Sequence, residues 1–339
     1  MKGLRFFEKI IFAVNTLAAL LLLCSYLLPY ASPKNFALLS VLSLAVPLFI
    51  ILNLLFLLFW LLKAKKQLLL SLVVLLIGFN HVLSLYKFTG SKSVADDANF
   101  TVMNYNVRLF NLFEWLPSKT VKSDILEFVK QENPDVLCLQ EYHKSDDFNL
   151  EGYQVFENLS KSKVKSGQAI FSKFPIVNSG SVTFPNTSNN AIYIDILKGV
   201  DTIRVYNLHL QSNKINPEVS ELAKESSENL IKRVGNTFKM QQEQAELFLA
   251  HRAKCKYKTI ISGDFNNTVY SYIHKKIKGE AKDAFAKAGN GFGRTYDFKF
   301  FPVRIDFILA DPEFKVNGFK TYDVKLSDHY PIKATLKLD

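Results

Sequence analysis

Polar residues that suit metal binding and acid–base chemistry stand at the ends of several short apolar runs in the carboxyl-terminal two thirds of the chain. The clearest run is Thr259–Ser262, which is followed by Gly263, Asp264, Phe265 and Asn266. Such a run beside a glycine is typical of a buried strand, and alternation along the strand places Asp264 and Asn266 on the same side. Further polar groups hold comparable positions at Asn106, Glu141, His209, Asp306, Asp328 and His329. Together they predict one site assembled from the ends of several strands.

The residue types in this set indicate the chemistry. Several carboxylates without a ring of Cys or multiple His residues favour a hard cation, Mg²⁺ or Mn²⁺, over zinc. Two histidines beside such a cation suit acid–base work or stabilisation of an anionic transition state near neutral pH. Asp306 opens another predicted strand and is therefore a candidate to orient His329. Cys24, Cys138 and Cys255 have no paired spacing, and they predict neither a disulfide framework nor a zinc site.

The charge of the chain is unevenly distributed along its length. Residues 1–95 are almost all apolar, and their nine Lys/Arg residues and single acid account for +8 of the formal net charge of +11. The remaining residues therefore carry only +3. The basic pI of about 9.3 thus belongs mainly to the apolar amino-terminal part and is not the electrostatic footprint of a nucleic-acid-binding domain.

Residues 1–86 are predicted to be a transmembrane region with three spans. The apolar runs at about 10–28, 36–62 and 68–86 are each long enough to cross a hydrocarbon core of about 30 Å. A cleaved signal peptide is the alternative for the first run, but two further apolar runs follow it directly. Polar residues inside the runs, namely Asn15, Asn53, Asn80 and His81, are interpreted as partners in hydrogen bonds between helices or as residues at the membrane interface, and not as a transport path.

Cationic residues predict how these spans are oriented. Lys and Arg cluster before the first run and again at 63–66, whereas Lys34 is the one cation between the first two runs. Positively charged segments stay in the cytoplasm, so an odd number of crossings exports everything after residue 86. The sequence therefore predicts a multi-pass protein of a bacterial-type inner membrane, with an extracytoplasmic carboxyl-terminal domain.

Residues 87–98 lack periodicity and are predicted to be a linker to a domain at 99–339. An amphipathic helix is predicted from Val121 to the Asn133-Pro134 pair, and two helices broken near Gly235-Asn236 are predicted within 217–254. Strands are predicted at 100–107, 136–139, 153–156, 168–171, 192–197, 202–208, 259–264, 304–309, 316–321 and 332–338. Strands that mix hairpin-like spacing with helical crossovers predict a mixed-sheet α/β sandwich.

An ordered set of motifs in this domain resembles the endonuclease/exonuclease/phosphatase superfamily, which has the deoxyribonuclease I-like fold. The motifs are Asn104-Tyr105-Asn106-Val107, Leu139-Gln140-Glu141, Gly167 to Ile176, Asn207-Leu208-His209-Leu210, Gly263-Asp264-Phe265-Asn266, Arg304-Ile305-Asp306 and Ser327-Asp328-His329-Tyr330-Pro331. Each motif alone is weak, but their order over residues 100–335 is specific. The resemblance implies a four-layer α/β sandwich, in which two mixed β-sheets are flanked by helices, and it does not extend to the membrane region.

The resemblance also implies a role for each motif residue. Glu141 is expected to bind Mg²⁺ or Mn²⁺, with Asn106 and Asp328 completing or supporting the metal site. The other motif residues are expected to be catalytic. Asp264 and Asn266 are expected to orient the attacking water and the phosphate oxygens. His329, paired with Asp306, is expected to act as the base or to stabilise the pentacovalent phosphorane, and His209 is expected to contact the phosphate from the opposite side.

Some positions leave alternatives open. Asn104 is a rival for the role of Asn106, and His209 has the alternative of a satisfied core histidine. Arg294 and Thr295 are weaker candidates for the substrate rim. The remaining histidines of this domain are predicted to lie at the surface, namely His143, His251 and His274.

The predicted function is that of a membrane-anchored, divalent-metal-dependent phosphodiesterase, most simply a nuclease. One alternative is a lipid-headgroup phosphodiesterase of sphingomyelinase type, for which an apolar loop at Phe298–Pro302 is suited to enter the bilayer. Others are an inositol-phosphate phosphatase and a catalytically inactive binding domain. The expected partners are a phosphodiester substrate, either nucleic acid or a phospholipid headgroup, and the lipid bilayer itself, and no protein partner is implied.

Overall fold

The computed structural model describes residues 4–88, 93–161, 164–214, 226–298 and 302–339. From residue 100 onward, alternating apolar residues build two six-stranded sheets. The first sheet has the order β11-β12-β1-β2-β4-β3. Its strands are β1 Phe100–Asn106, β2 Val136–His143, β3 Gln154–Leu159, β4 Ser166–Ser172, β11 Phe314–Thr321 and β12 Ile332–Leu338. Only β1 and β2 are parallel among the paired strands of this sheet that the structure describes.

The second sheet has the order β5-β6-β7-β8-β10-β9. Its strands are β5 Ile176–Thr183, β6 Asn190–Lys198, β7 Asp201–His209, β8 Lys258–Asp264, β9 Lys282–Asp283 and β10 Asp306–Ala310. Here β7 and β8 form the parallel pair, and β10 runs antiparallel to β8. Both sheets are therefore mixed, as predicted. Each presents the carboxyl ends of a central parallel pair at the same end of the sandwich.

The two sheets pack face to face over one apolar layer, and helices cover their outer faces. Inner-face residues such as Val102, Val136 and Ile260 form the central core. On the outside, α6 (Val121–Glu132) packs on the first sheet, and α7 (Ser227–Arg252) packs on the second with α8 (Tyr272–Lys278). A short helix, α9 (Ala284–Ala288), closes one end of the central core. This is the expected arrangement of two mixed sheets flanked by helices.

Among the described residues, five α-helices precede the sheets: α1 Phe6–Ser25, α2 Pro33–Val41, α3 Val46–Leu62, α4 Leu68–Ile77 and α5 Phe79–Leu85. Within the described residues, two segments are long and apolar enough to cross a membrane, at 6–30 and 33–62. The predicted third span is not one straight helix. It consists of α4 and α5, which meet at an 81° bend and count at most as one broken span. Gly78 stands at this bend, where Tyr26 leaves no space for a side chain.

Polar side chains between these helices bond to one another. Asn15 Nδ2 donates to Ser71 Oγ at 2.7 Å, and Asn15 Oδ1 accepts from Trp60 Nε1 at 3.0 Å. Asn53 Nδ2 donates to the carbonyl of Ala18 at 3.0 Å. Asn15 and Asn53 are fully buried. The interpretation of both asparagines as partners in interhelical hydrogen bonds is therefore confirmed.

Three predictions of local structure are wrong for identifiable reasons. The helix that was predicted to break near Gly235 continues unbroken as α7, and Gly235 packs against Ala37 of α2 with room for little more than a methyl group. The start of the predicted helical stretch, at 217–225, lies outside the described residues. Strand β5 was missed, because a paired but half-exposed edge strand needs little apolar sequence. His274 is buried between Phe265 and Phe307 instead of lying at the surface, and this burial lowers the pKa of its imidazole to about 3.

Candidate active site

Asp264 occupies the carboxyl end of β8, near the centre of the second sheet. The parallel neighbour β7 brings His209 to one side of Asp264, and the antiparallel neighbour β10 brings Asp306 to the other. Gly263 precedes Asp264 because the backbone of β7 passes very close. A Cβ atom at position 263 would lie 1.9 Å from the carbonyl oxygen of Leu208. The register of three strands therefore groups these polar side chains.

His329, in the loop before β12, completes a buried group with Asp306 and Asp264. Its Nδ1 lies 2.9 Å from Asp306 Oδ2, and its Nε2 lies 3.7 Å from Asp264 Oδ2. Burial favours the neutral imidazole, but the carboxylates of Asp306 and Asp264 outweigh it and raise the pKa of His329 to about 10. Burial in turn raises the pKa of Asp264. A cationic imidazole thus lies beside a carboxylate that binds a proton more readily than one in water.

Asn106 and Glu141 approach Asp264 from the first sheet. Asn106 Nδ2 lies 3.1 Å from Asp264 Oδ2 and 3.3 Å from Glu141 Oε1, so this amide links the two sheets. Glu141 has a positive φ of 49°, within an irregularity of the β2–β4 pairing between Leu139 and Tyr142. Its side chain is 36% exposed, and the partial burial of its carboxylate raises the pKa of Glu141. The local bulge re-aims one side chain of an otherwise buried strand toward the site.

His209 lies behind these carboxylates and has no hydrogen-bond partner for its Nε2 among the described residues. That nitrogen is 3.8 Å from Asp264 Oδ2 and 3.9 Å from Glu141 Oε1. Burial, followed by the positive charge of His329, lowers the pKa of His209 to about 4. The two site histidines are therefore in opposite charge states at neutral pH.

A layer of buried amides supports the site from between the sheets. Asn104 Nδ2 donates to Asp306 Oδ1 at 3.2 Å, and Asn104 Oδ1 accepts from Gln140 Nε2 at 2.8 Å and from Ser262 Oγ at 2.9 Å. Gln140 Nε2 also donates to Asn207 Oδ1 at 2.5 Å. The rival asparagine of the sequence analysis thus holds Asp306 in place and does not line the cavity above.

The carboxylates open into a cavity of about 680 Å³. The predicted site residues that line it are Glu141, Asp264, Asn266, Asp328 and His329. Sequence analysis missed other lining residues, among them Arg108, Trp115, Lys214 and Tyr296. Arg108 follows Asn106 by two residues and Lys214 follows His209 by five. Both cations lie in loops that directly follow a polar strand end, and this position in the sequence could have identified them as residues of the site.

Asp328 and Asn266 are held by short-range contacts at the cavity wall. Asp328 Oδ2 lies 3.1 Å from Arg108 Nη1, and the Arg108 guanidinium stacks 4.4 Å above the ring of Trp115. Asn266 donates its backbone N–H to Asp264 Oδ1 at 2.8 Å and its side-chain amide to Asp264 Oδ2 at 3.1 Å. Both contacts on Asp264 orient its carboxylate.

Arg294 and Thr295 do not line the cavity, in contrast to their prediction as substrate-rim residues. Arg294 Nη2 donates to Asp323 Oδ1 at 3.0 Å. Thr295 is fully buried, and its Oγ1 accepts the backbone N–H groups of Ile305 at 3.0 Å and Asp306 at 3.1 Å. Thr295 therefore fixes the start of β10 and supports the site without reaching the substrate.

The side chains around the cavity fit a hard divalent cation. Glu141, Asp264 and Asp328 contribute carboxylate oxygens to the same cavity. Asn106 lies outside the cavity lining and donates its Nδ2 to the carboxylates of Asp264 and Glu141. Such oxygen donors are the ligands that Mg²⁺ and Mn²⁺ prefer. Among the described residues, Asp264, Asp306 and His329 also bring ligand atoms within 4.8 Å of one another. In that group, however, Asp306 is buried, does not line the cavity and already accepts the His329 hydrogen bond.

A fold of two stacked mixed sheets, with carboxylates, amides and paired histidines at the strand ends, defines a class of phosphoester hydrolases. The model of the Endonuclease/Exonuclease/phosphatase family matches residues 103–329. The chain belongs to this family and is a hydrolase of phosphoester bonds. A second model, that of a domain of unknown function, matches residues 8–85. No curated protein matches the chain significantly.

Solved structures share the fold at low identity. A family member from Bacteroides thetaiotaomicron is 21% identical over 72% of this chain and all of its own, with a TM-score of 0.54. The human Nocturnin catalytic domain with bound sulfate anion is 19% identical over 73% and 97% of the two chains, with a TM-score of 0.55. The B. thetaiotaomicron mannosyl-6-phosphatase is 20% identical over 70% and 99%, with a TM-score of 0.54. At these identities the likeness shows the fold alone.

Proposed function

We propose that this protein is a membrane-anchored phosphodiesterase that depends on a divalent metal ion. One observation carries the proposal: Asp264 lies in a cavity between a cationic His329, a neutral His209 and the carboxylates of Glu141 and Asp328. This arrangement combines a proton acceptor, a cationic donor and oxygen ligands around one open cavity. Hydrolysis of a phosphodiester by water needs all three.

Asp264 is the proposed acceptor of the proton from the attacking water. Its carboxylate is oriented by Asn106 and Asn266, and burial raises its pKa toward the range in which a general base works near neutral pH. The oxygen of water bonds to phosphorus, the phosphorus–oxygen bond to one alcohol breaks, and the proton of the water passes to Asp264. The products are an alcohol and a phosphate monoester.

His329 is proposed to stabilise the pentacovalent phosphorane and to protonate the leaving alkoxide. The sequence analysis left this role open beside that of a base. The raised pKa of His329 favours the cationic donor, because an imidazole that is already protonated cannot accept the proton of water. Asp306 holds Nδ1 of the ring at 2.9 Å and so leaves Nε2 to face Asp264 and the cavity.

Glu141, Asn106 and Asp328 are proposed to hold Mg²⁺ or Mn²⁺. When bound, the metal ion offsets the charge of the phosphate and polarises its oxygens. His209 is proposed to donate Nε2–H toward a phosphate oxygen, and the support for this role is that the nitrogen lacks a partner among the described residues. Asn266 is proposed to position the phosphate oxygens with it, and Arg108 and Lys214 add positive charge to the cavity wall.

Anchoring in a membrane with the sandwich outside the cytoplasm is supported by the path of the chain. Tyr26, just after α1, donates to the carbonyl of Val74 near the end of α4, and Lys34 and His81 both contact the sandwich. The end of α1, the start of α2 and α5 therefore lie on the sandwich side. The basic residues at 63–66 lie at the other ends of α3 and α4, the side that positive charge assigns to the cytoplasm.

A nuclease was the simplest prediction from the sequence, and it requires the same chemistry. Along a nucleic acid, a run of phosphates needs several cations. The described cavity wall offers Arg108 and Lys214, and Arg108 is already paired with Asp328. Two cations in the described wall, one of them already paired, favour a substrate with one or two phosphates.

Hydrolysis of bis(p-nitrophenyl) phosphate by the purified full-length protein in detergent tests the reaction class. We expect turnover with Mg²⁺ or Mn²⁺ and none with EDTA. Asp323→Asn serves as a matched control, because this aspartate is 77% exposed on its side chain and lies outside the cavity lining. Activity that persisted in EDTA would contradict the proposed metal dependence.

A further inference from the structure

The membrane region contributes directly to the wall of the active-site cavity. Leu44, in the 3₁₀ helix Leu42–Ala45 that links α2 to α3, lines the same cavity as Asp264 and His329. Thr268, another lining residue, has its Oγ1 3.5 Å from the carbonyl oxygen of Ser43. Substrate in the cavity therefore meets the membrane region as well as the sandwich.

The sandwich is held to the membrane region by specific contacts. Gln242 of α7 accepts hydrogen bonds from Ser32 Oγ at 2.8 Å and from the backbone N–H of Lys34 at 3.0 Å. The Lys34 ammonium lies 2.6 Å from a carboxylate oxygen of Glu246. On the other side, Tyr270 enters the apolar cluster of the membrane helices and donates to the carbonyl of His81 at 3.1 Å.

A single loop joins this contact to the catalytic centre. Tyr270 follows Asp264 by six residues, and between them Asn266 and Thr268 both line the cavity. The placement of Leu44 on the cavity is therefore fixed by the same loop that carries the site residues.

The level of the bilayer follows from the helix that starts beside Leu44. Helix α3 begins at Val46 and has 17 residues, which span about 25 Å, close to the roughly 30 Å of a hydrocarbon core. Exposed leucines such as Leu55 and Leu58 mark its lipid-facing surface. The basic residues at 63–66 mark the opposite interface. Within the candidate span at 33–62, Ala37 of α2 packs on Gly235 of the sandwich, so we infer that α3 is the part that crosses the hydrocarbon core and that Leu44 lies at the sandwich-side interface.

The rim of the cavity carries further apolar surface. Trp115 lines the cavity with 42% of its surface exposed, and its loop neighbours Leu112 and Phe113 are exposed by 41% and 59%. Phe298 lines the cavity as well, while residues 299–301 of the apolar loop expected to enter the bilayer lie outside the described residues. Exposed aromatic groups beside a membrane segment suit the headgroup layer, where one end of the ring is wet and the other apolar.

We propose that the substrate is a phosphodiester of a membrane lipid, which enters the cavity from the bilayer past Leu44 and Trp115. The proposal rests on the proposed function and names the substrate class of that same site. The lipid phosphate meets Asp264, His329 and the cations of the wall, and the apolar part of the lipid stays against Leu44. Water is the only co-substrate: its oxygen bonds to phosphorus, one phosphorus–oxygen ester bond breaks, and the alcohol leaves with a proton.

Full-length protein, incubated with vesicles of phosphatidylethanolamine, phosphatidylglycerol and sphingomyelin, tests the proposal. Bis(p-nitrophenyl) phosphate and a DNA oligonucleotide are assayed in parallel. We expect hydrolysis of at least one vesicle lipid. Leu44→Ser should lower the ratio of lipid to soluble-diester hydrolysis by about tenfold, the range for loss of one apolar contact. Leu42→Ser is the matched control, since Leu42 belongs to the same short helix, is exposed and does not line the cavity.

The outcomes separate the two proposals. Cleavage of the soluble diester or of DNA with all three lipids untouched would overturn the lipid substrate and leave the phosphodiesterase standing. Failure on every substrate, with metal present, would instead count against the phosphodiesterase itself. An equal rate ratio in the Leu44 and Leu42 variants would remove Leu44 from the substrate path.

Discussion

Two buried polar clusters, one between the amino-terminal apolar helices (the membrane cluster) and one between the sheets, differ in charge and in access to solvent. The membrane cluster of Asn15, Asn53, Ser71 and Trp60 contains only neutral groups that bond to each other or to backbone. The sandwich cluster holds acids, histidines and amides, and it opens into a cavity. The first arrangement joins helices, and the second suits chemistry.

The two clusters differ most clearly in whether their buried polar atoms have hydrogen-bond partners. In the site, His209 Nε2 is buried without a partner among the described residues, and carboxylates crowd around it. An unpaired buried ring nitrogen and neighbouring acids are costly in a folded protein. Such cost is expected where a substrate and a metal ion complete the contacts. The neutral cluster carries no comparable cost, so its loss should affect stability and spare catalysis.

The largest expected effect is that of Asp264→Asn. Replacing the proposed proton acceptor by an amide of the same shape should lower kcat by about 100-fold or more, since a transition-state group is lost. Circular dichroism and the thermal unfolding midpoint should stay close to those of the wild type. A near-normal rate on bis(p-nitrophenyl) phosphate would show that Asp264 does not act in the reaction.

His329→Ala is expected to reduce kcat to a similar extent, and Asp306→Asn to act through the same histidine. Because the Asp306 carboxylate helps raise the pKa of His329 to about 10, its loss lowers that pKa. If cationic His329 is the active form, activity is lost as pH rises through this pKa. The alkaline limb of the pH–kcat/KM profile should therefore move to lower pH in Asp306→Asn. An alkaline limb at the same pH as in the wild type would show that Asp306 does not set the pKa of the group that limits activity at high pH.

Glu141→Ala should weaken metal binding more than it removes chemistry, because it deletes one oxygen ligand. Activity at low Mg²⁺ should fall by about tenfold or more, and higher Mg²⁺ or Mn²⁺ should restore part of it. Rates measured over a metal titration check this expectation, with Asp323→Asn as the control. A loss that no metal concentration relieves would assign Glu141 to the chemistry instead.

The smallest effect is expected in the membrane cluster. Asn15→Leu removes the hydrogen bonds to Ser71 and Trp60 and should lower stability by about 0.6–1.7 kcal/mol, the range for such bonds between membrane helices. Turnover of the soluble diester should stay within about twofold of the wild type. Ser84→Ala, which removes only a hydrogen bond from Ser84 Oγ to the carbonyl of Asn80 within α5, provides the control for unfolding measured in detergent. A large loss of turnover in Asn15→Leu would contradict the expectation that the membrane cluster affects stability and not catalysis.

Sequence alone was sufficient to predict the mixed sheets, the helix at 121–132 and five of the residues that line the cavity. Period-two apolar runs identify strands, and a polar residue at the end of such a run is visible without coordinates. The sequence analysis assigned Asn106 to the site but left Asn104 as a rival, because both face the same side of β1. Asn106 ends β1 and contacts Asp264, whereas Asn104 lies two residues earlier and contacts Asp306. These contacts depend on how the second sheet packs against the first.

Long-range packing also decided the errors. Thr295 accepts backbone hydrogen bonds from the start of β10, and His274 fills a gap between two phenylalanines, contacts that no local pattern encodes. Gly235 was expected to break a helix, but it lies within α7 and allows α2 to pack closely against that helix at Ala37.

Apolar length by itself predicted the amino-terminal apolar helices, two segments of which are long enough to cross a membrane within the described residues. The predicted orientation depends on the distribution of charge alone and stays a prediction. Only the tertiary structure decided that Leu44 of this region lines the cavity of Asp264, some 220 residues further along the chain. The physical reason is that spacing along a chain records which residues share one helix or strand. Contact between separate elements is set by the surfaces they bury against each other, here α2 against α7 and Tyr270 among the membrane helices.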